Sequence, residues 1–269
     1  MANKDVFFSL LLLSFLICSN ILPQEPRDPF PKVAASYLVK VNSKTLWVHN
    51  PNRKLPPASL TKIMTALIIL EKVGLDEVVI VSKRAAKETG SVIGLRAGDK
   101  MKVRDLLAAC LIQSANDASY ALAEYAGGSK EGFVRLMNAR ADKMGLVDTH
   151  WTNPCGHSEK NHYSTANDLA ILAETALKNP TFSKLVSFTR GRISTVNEKR
   201  TFKIENKNEL IGRYPGAIGV KSGWTSKAGK CLIALACRNG TKVLLILLNA
   251  PNRWWDAEMI LNKAFAYKP

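Results

Sequence analysis

The sequence predicts an α+β fold: an antiparallel sheet packed against helices, with a mostly helical second lobe. Three observations predict it. Two β-rich runs flank Asn42 and Ser43, helical spacing dominates from Leu55 to Leu177, and β patterning returns from Arg192 before one last helical stretch. An early hairpin can complete a sheet built from late strands, leaving the intervening helices as a lobe of their own. A cleft between sheet and helices is then the natural place for a site.

Each element has a local reason. "AASYLVKVNSKTLWVHN" holds the hairpin, with Asn-Ser as its turn. "LPPASLTKIMTALIILEKV" is an apolar helix entered through Pro56 and Pro57, which prevent an earlier start. "VSKRAAKETGSVIGLRAGDKMKV" is polar and glycine-bearing, suited to turns and short strands. "VRDLLAACLIQ", "DASYALAEYA", "KEGFVRLMNARADKMG" and "TANDLAILAETAL" each carry helical spacing. "ISTVNEKRTFKI", "GAIGVKSG", "KCLIALACR" and "TKVLLILLNA" read as strands, and a final helix starts near Asn252. No repeat or low-complexity segment interrupts this order after the leader.

Composition bounds the function. At 269 residues with 46% hydrophobic and 22% charged, the chain is globular and large enough for a sizeable core. Its excess of 38 Lys+Arg over 22 Asp+Glu suits anionic surroundings such as nucleic acid, acidic lipid or a wall polymer. No zinc-finger spacing or RNA-binding aromatic signature accompanies it, so no nucleic-acid partner is expected. The run from Val6 to Ile17, behind Lys4, has the length of a secretory signal's apolar region. Residues 1–24 are therefore expected to be a signal peptide and leader, with Cys18 a candidate for lipidation, and residues 25–269 one domain. Cys231 and Cys237 fall on one strand, roughly 20 Å apart if extended, which excludes a bridge between them. His150, His157 and His162 lie near Cys155 in sequence, but without familiar ligand spacing, so no metal is expected.

The chemistry begins with a buried cation. Ser59 and Lys62 sit three apart at a helix start, on one face. A serine hydroxyl needs a base to become nucleophilic, and a desolvated lysine, or one near another cation such as Lys221, can be that base. The helix N-terminus adds N–H groups suited to a developing oxyanion. Alone the pair is weak, because roughly one Ser-x-x-Lys arises by chance in a chain this size, and a capping serine beside a snorkelling lysine explains it. Two further patterns raise its weight. Ser114 and Asn116 stand two apart where one apolar helix stops and another begins. Lys221, Ser222 and Gly223 end a strand with a cation, a hydroxyl and a residue over which a ligand backbone can lie.

In the order "SLTK", "SAN", "KSG", these motifs resemble the signature of penicillin-binding proteins and serine β-lactamases. The wider wording resembles the D-alanyl-D-alanine carboxypeptidase family. "PASLTKIMTAL", "LRAGDKMKVRDLLAACLIQSANDASYALAEYAGG", "THWTNPCG", "HYSTANDLAILA", "NKNELI" and "GAIGVKSGWTSKAGKCLIALA" carry that likeness over nearly the whole chain after the leader. The resemblance implies a β-lactamase/transpeptidase-like fold, no cofactor, and an exported enzyme acting in the periplasm or on the extracytoplasmic face of a bacterial envelope. Its substrate would be a peptidoglycan stem peptide ending in D-Ala-D-Ala, and β-lactams would inhibit it.

It also implies roles. Ser59 would form the acyl-enzyme, Lys62 would take its proton, and Ser114 would pass a proton to the leaving amine. Asn116, Lys221, Ser222 and Gly223 would hold the substrate, with Arg253 assisting at its carboxylate. Backbone N–H groups of Ser59 and Trp224 would form the oxyanion hole. Cys155 stands where members often have histidine, and Lys-Ser-Gly replaces Lys-Thr-Gly without losing the hydroxyl. The C-terminal β domain and anchor helix of many members are expected to be absent, and the positive charge suits peripheral association with a membrane or anionic wall polymer. A D,D-endopeptidase that cuts cross-links is the alternative. A serine β-lactamase is a rival weakened by the lack of a recognisable water-activating carboxylate.

Overall fold

The computed structural model describes residues 28–267, so the signal-peptide segment, Cys18 included, lies outside the described residues. Strands β1 (Ser36–Val41) and β2 (Lys44–His49) form the hairpin, and α1 (Lys62–Lys72) follows a 3-10 turn at Ala58–Thr61. Short strands β3 (Val78–Ile80) and β4 (Lys100–Lys102) pair beside the helices α2 (Val103–Ala108), α3 (Asn116–Gly127) and α4 (Lys130–Lys143). Then come α5 (Ala166–Leu177), α6 (Pro180–Ser187), β5 (Arg190–Ser194) and β6 (Thr201–Glu205). The chain closes with β7 (Ala217–Thr225), β8 (Gly229–Arg238), β9 (Thr241–Leu248) and α7 (Arg253–Ala266).

The hairpin and the late strands join into one five-stranded antiparallel sheet in the order β2-β1-β9-β8-β7. Asn42 and Ser43 both have positive φ, 45° and 68°, as a tight hairpin turn requires at its two central residues. Strands β8 and β9 are buried on both faces, which is why they read as continuous apolar runs instead of alternating ones. One face sends Ile233, Leu235, Leu244 and Ile246 into a core shared with α1, α2 and α3. The other sends Leu232, Ala234, Leu245 and Leu247 against Ala257, Ile260 and Leu261 of α7. Truncating one of these buried leucines to alanine removes about 2–5 kcal/mol.

The structure departs from the sequence reading in three places. The β5–β6 hairpin pairs only with itself. Arg190, Arg192 and Lys203 are exposed while Ile193, Phe202 and Ile204 turn inward, so this ribbon has a single apolar face and cannot lie inside a sheet covered on both sides. Helix α6 adds an unexpected turn after α5. Its start was nonetheless encoded: the Asn179 carboxamide oxygen accepts from Phe182 N at 3.1 Å, and Pro180 occupies the first turn. Finally, α2 passes into a π-helical turn at Ala109–Gln113 that ends on Ser114, whose φ of 63° is left-handed. That widened turn brings Ser114 and the start of α3 to the cleft.

Candidate active site

The helical wall of the site is built around Lys62. Its side chain is wholly buried, and its ammonium donates to Ser59 Oγ at 3.1 Å, Asn116 Oδ1 at 2.7 Å and the Cys155 carbonyl at 2.7 Å. An ammonium has three protons, so each finds an acceptor. Burial lowers the proton affinity of Lys62, because water no longer solvates the charge; Cys155, Cys110, Asp117 and Glu88 oppose that shift.

Long-range contacts hold each acceptor in place. Asn116 N donates to Ser91 O at 2.7 Å and its Nδ2 to Thr89 O at 2.6 Å, which turns Oδ1 toward Lys62. Asp117 accepts from the backbone N–H groups of Ile93, Gly94 and Leu95, pinning the loop that carries Gly90 and Ser91 to the rim. Asn153 Oδ1 accepts from Gly156 N at 2.7 Å and His157 N at 3.0 Å, while Thr65 and Ser119 donate to Pro154 O at 2.7 and 2.8 Å. The Cys155 carbonyl is thus fixed from both sides. Gly156 has a φ of +94°, and a Cβ there would fall 1.9 Å from Ala58 O, so only glycine admits this contact with the Ser59 turn.

The strand wall is the outer edge of β7, which pairs with β8 alone. Gly223 crosses directly over the start of the 3-10 turn: a Cβ at this position would lie 2.8 Å from Ser59 N and 3.0 Å from Ala58 Cβ. Ser222 Oγ donates to Lys207 O at 2.7 Å, and the Lys221 ammonium donates to Ser222 O at 2.9 Å. Arg253 Nη1 donates to Gly223 O at 2.6 Å and its guanidinium lies 4.4 Å from the Trp254 ring, whereas its Nε is buried without a partner.

Between the walls is a cleft of about 590 Å³ lined by Ser59, Ser114, Asn116, Ser222, Gly223, Trp224 and Arg253. Of the nine expected site residues these seven meet there. Lys62 lies beneath Ser59, and Lys221 is 2% exposed behind the strand edge. Sequence reasoning missed Lys207, which lines the cleft and sits in the quoted "NKNELI", and the carbonyl of Cys155, which no side-chain pattern reveals.

The two buried lysines act on each other. Lys62 is lowered by burial. Lys221 is lowered well below its usual value by burial first and by the charge of Lys62 second. Burial and their mutual repulsion disfavour two protonated lysines at once, so the pair shares its charge.

The histidines disperse. His162 Nδ1 accepts from Thr152 N at 3.0 Å, which leaves Nε2 to donate to Thr61 Oγ1 at 2.9 Å. Burial pushes its pKa down to about 3, so it is a neutral core residue bracing the Ser59 turn. His150 Nδ1 meets Asn161 O at 2.7 Å, and His157 turns toward Glu88 at 2.9 Å.

Residues 25–252 match the D-alanyl-D-alanine carboxypeptidase family. The chain belongs to that family. It is 38% identical over 222 residues to the D-alanyl-D-alanine carboxypeptidase DacF of Bacillus subtilis, covering 81% of this chain and 57% of that protein. It is 34% identical to a D-alanyl-D-alanine endopeptidase of Pseudomonas aeruginosa over 93% of this chain and 84% of that one. The crystal structure of the Streptomyces K15 DD-transpeptidase superposes with a TM-score of 0.83 at 31% identity, covering 91% of this chain and all of the other. The fold is accordingly the penicillin-binding protein/transpeptidase fold. Membership accounts for the joint occurrence of the three motifs around one cleft. This chain therefore spans little more than half of the Bacillus relative.

Proposed function

We propose that this chain is an exported serine-type D-alanyl-D-alanine carboxypeptidase that trims peptidoglycan stem peptides through an acyl-enzyme and is blocked by β-lactams. One observation carries the reading. Ser59 Oγ faces the cleft while the buried side chain of Lys62 reaches it from beneath at 3.1 Å.

In this reading neutral Lys62 takes the Ser59 proton as Oγ attacks the carbonyl carbon of the terminal peptide bond. The oxyanion that forms is received by the backbone N–H groups of Ser59 and Trp224, with the bare backbone of Gly223 giving the substrate room beside them. Ser114 passes a proton to the leaving D-alanine nitrogen, the C–N bond breaks, and water then hydrolyses the ester. Asn116 orients the substrate and Lys62 together. Lys221, Ser222 and Arg253 serve the terminal carboxylate, which brings negative charge to a strand edge rich in cations. That the same acyl chemistry can act on cross-linked peptides is supported by the endopeptidase among the relatives.

The test combines a fluorescent penicillin, a peptide ending in Lys-D-Ala-D-Ala and a cross-linked dimer, each beside Ser59→Ala. A stable adduct on Ser59 and released D-alanine are expected, both lost in the variant. Absence of labelling in the unaltered chain rejects the mechanism, fast penicillin turnover moves the reading to β-lactamase, and preference for the dimer moves it to endopeptidase.

A further inference from the structure

Dispersal of the histidines leaves one new grouping. A carboxylate oxygen of Glu88, Cys155 Sγ and a ring nitrogen of His157 all lie within 4.8 Å of one another, with His157 Nε2 2.9 Å from Glu88 Oε2. Two of the three, Cys155 and His157, line the cleft beside Ser59. We propose that Glu88, Cys155 and His157 form a zinc-binding site in the wall of the cleft, and that its occupancy slows acylation of Ser59.

The donor set suits the ion. Thiolate, imidazole and carboxylate are the ligands that zinc combines in tetrahedral sites, and three of them leave a fourth position for solvent. Zinc bonds of about 2.0–2.3 Å place neighbouring donors roughly 3.3–3.8 Å apart. The observed spacing reaches that range with movements of about an ångström at His157, whose side chain is 36% exposed. On binding, the thiol sulfur donates a lone pair to the ion and its proton leaves to solvent.

The loop is already rigid. Asn153 Oδ1 holds the N–H groups of Gly156 and His157, and the Tyr120 ring stands 6.4 Å from that of His157. Such supporting contacts fix ligand orientation before the ion arrives. Glu88 follows a single 3-10 turn at Ala85–Lys87, whose position is set by Ser82 Oγ accepting from Ala85 N at 2.9 Å. A solvated His–Glu ion pair would account for those two residues alone. That pair does not include Cys155 Sγ, which the active-site loop brings to the same point, buried and 3.6 Å from Asn153 Oδ1.

Binding does not depend on the proposed peptidase activity, but its effect on acylation does. The Cys155 carbonyl holds Lys62, so an ion on the adjoining sulfur pulls on the residue that positions the base and narrows the cleft beside Ser59.

The full chain, stripped of metal, is titrated with Zn²⁺ and, as a spectroscopic probe, with Co²⁺. One zinc per chain is expected, with a thiolate-to-cobalt charge-transfer band in the near ultraviolet that disappears in Cys155→Ser. Because outer-shell partners alone alter zinc affinity about 10–100-fold, loss of a ligand in Glu88→Gln should weaken binding by at least about tenfold. Penicillin labelling of Ser59, measured on metal-free protein and after zinc addition, should slow several-fold with zinc in the unaltered chain. It should resist equal zinc in Glu88→Gln. No cobalt–thiolate band, or zinc affinity in both variants equal to that of the unaltered chain, overturns the site. Stoichiometric zinc with unchanged labelling overturns the control of acylation. Labelling that fails without metal rejects the peptidase reading and leaves the zinc result standing.

Discussion

On the helical wall of the cleft each proton of the Lys62 ammonium has an acceptor, and those acceptors are themselves anchored by Thr89, Ser91 and Asn153. On the strand wall the polar groups are less committed: Lys221 has a single carbonyl partner and Arg253 Nε is buried with none. A buried donor without an acceptor costs about 1–3 kcal/mol, so the strand wall carries a cost that a bound carboxylate would remove. The helical wall meets its own needs within the folded chain. This contrast suggests that one wall is assembled for proton transfer and the other is kept incomplete for a ligand.

The contrast can be broken most directly at Lys62. Lys62→Met should lower the penicillin acylation rate by about 10³–10⁴-fold, the upper range for removing a general base. Thermal unfolding should change little or shift upward, since an apolar side chain of similar length replaces a buried charge. A variant that keeps its acylation rate would show that Lys62 is structural. Rates in the unaltered chain should fall as pH falls, because protonated Lys62 cannot accept from Ser59. Its lowered proton affinity places that loss below the ordinary lysine range.

At the junction of the two walls, Gly223→Ala puts a methyl group 2.8 Å from Ser59 N. Acylation should drop about 10²–10³-fold, as for removal of one oxyanion donor, measured with folding checked by circular dichroism. Unchanged acylation would mean that the Ser59 N–H is not used.

Arg253→Gln tests the strand wall by itself. Loss of a charge-assisted contact worth about 1.5–3 kcal/mol should raise KM for the D-Ala-D-Ala peptide roughly 10–100-fold, with kcat little altered. A fall in kcat at constant KM would instead place Arg253 with the helical wall.

The smallest effect concerns the brace under the helical wall. His162 titrates at about 3 in the folded chain against an ordinary 6.5, so between those values the unfolded chain binds the extra proton. Stability contributed by neutral His162 is complete above pH 6.5 and is lost as pH falls toward 3. About 1 kcal/mol should disappear between pH 6.5 and 5.5 in urea unfolding. A flat profile over that interval would mean that His162 is solvated.

Much of this was legible beforehand. The Asn42-Ser43 turn, the helix opening after Pro56-Pro57 and the doubly buried strands β8 and β9 were readable because local sterics and hydrophobic period act over a few residues. Ser59 and Lys62 were readable for the same reason, being three apart on one turn. The β5–β6 ribbon was seen as strand, but its separation from the main sheet was not legible, since alternation reveals a half-buried strand and not its neighbour. Burial of Cys155 was concealed by its polar surroundings in sequence, and Glu88 carried no signal at all.

By itself, then, the sequence determined most of the elements, the Ser59–Lys62 pair and, through its three motifs, the family. Tertiary structure alone decided what that pair touches: Asn116 and the Cys155 carbonyl reach Lys62 from 54 and 93 residues away, and Gly223 lies over Ser59 from the opposite wall. The physical reason is range. Backbone sterics and side-chain periodicity are properties of neighbouring residues, whereas hydrogen-bond partners and proton affinities depend on which distant segments the packed core brings together and how completely it excludes water.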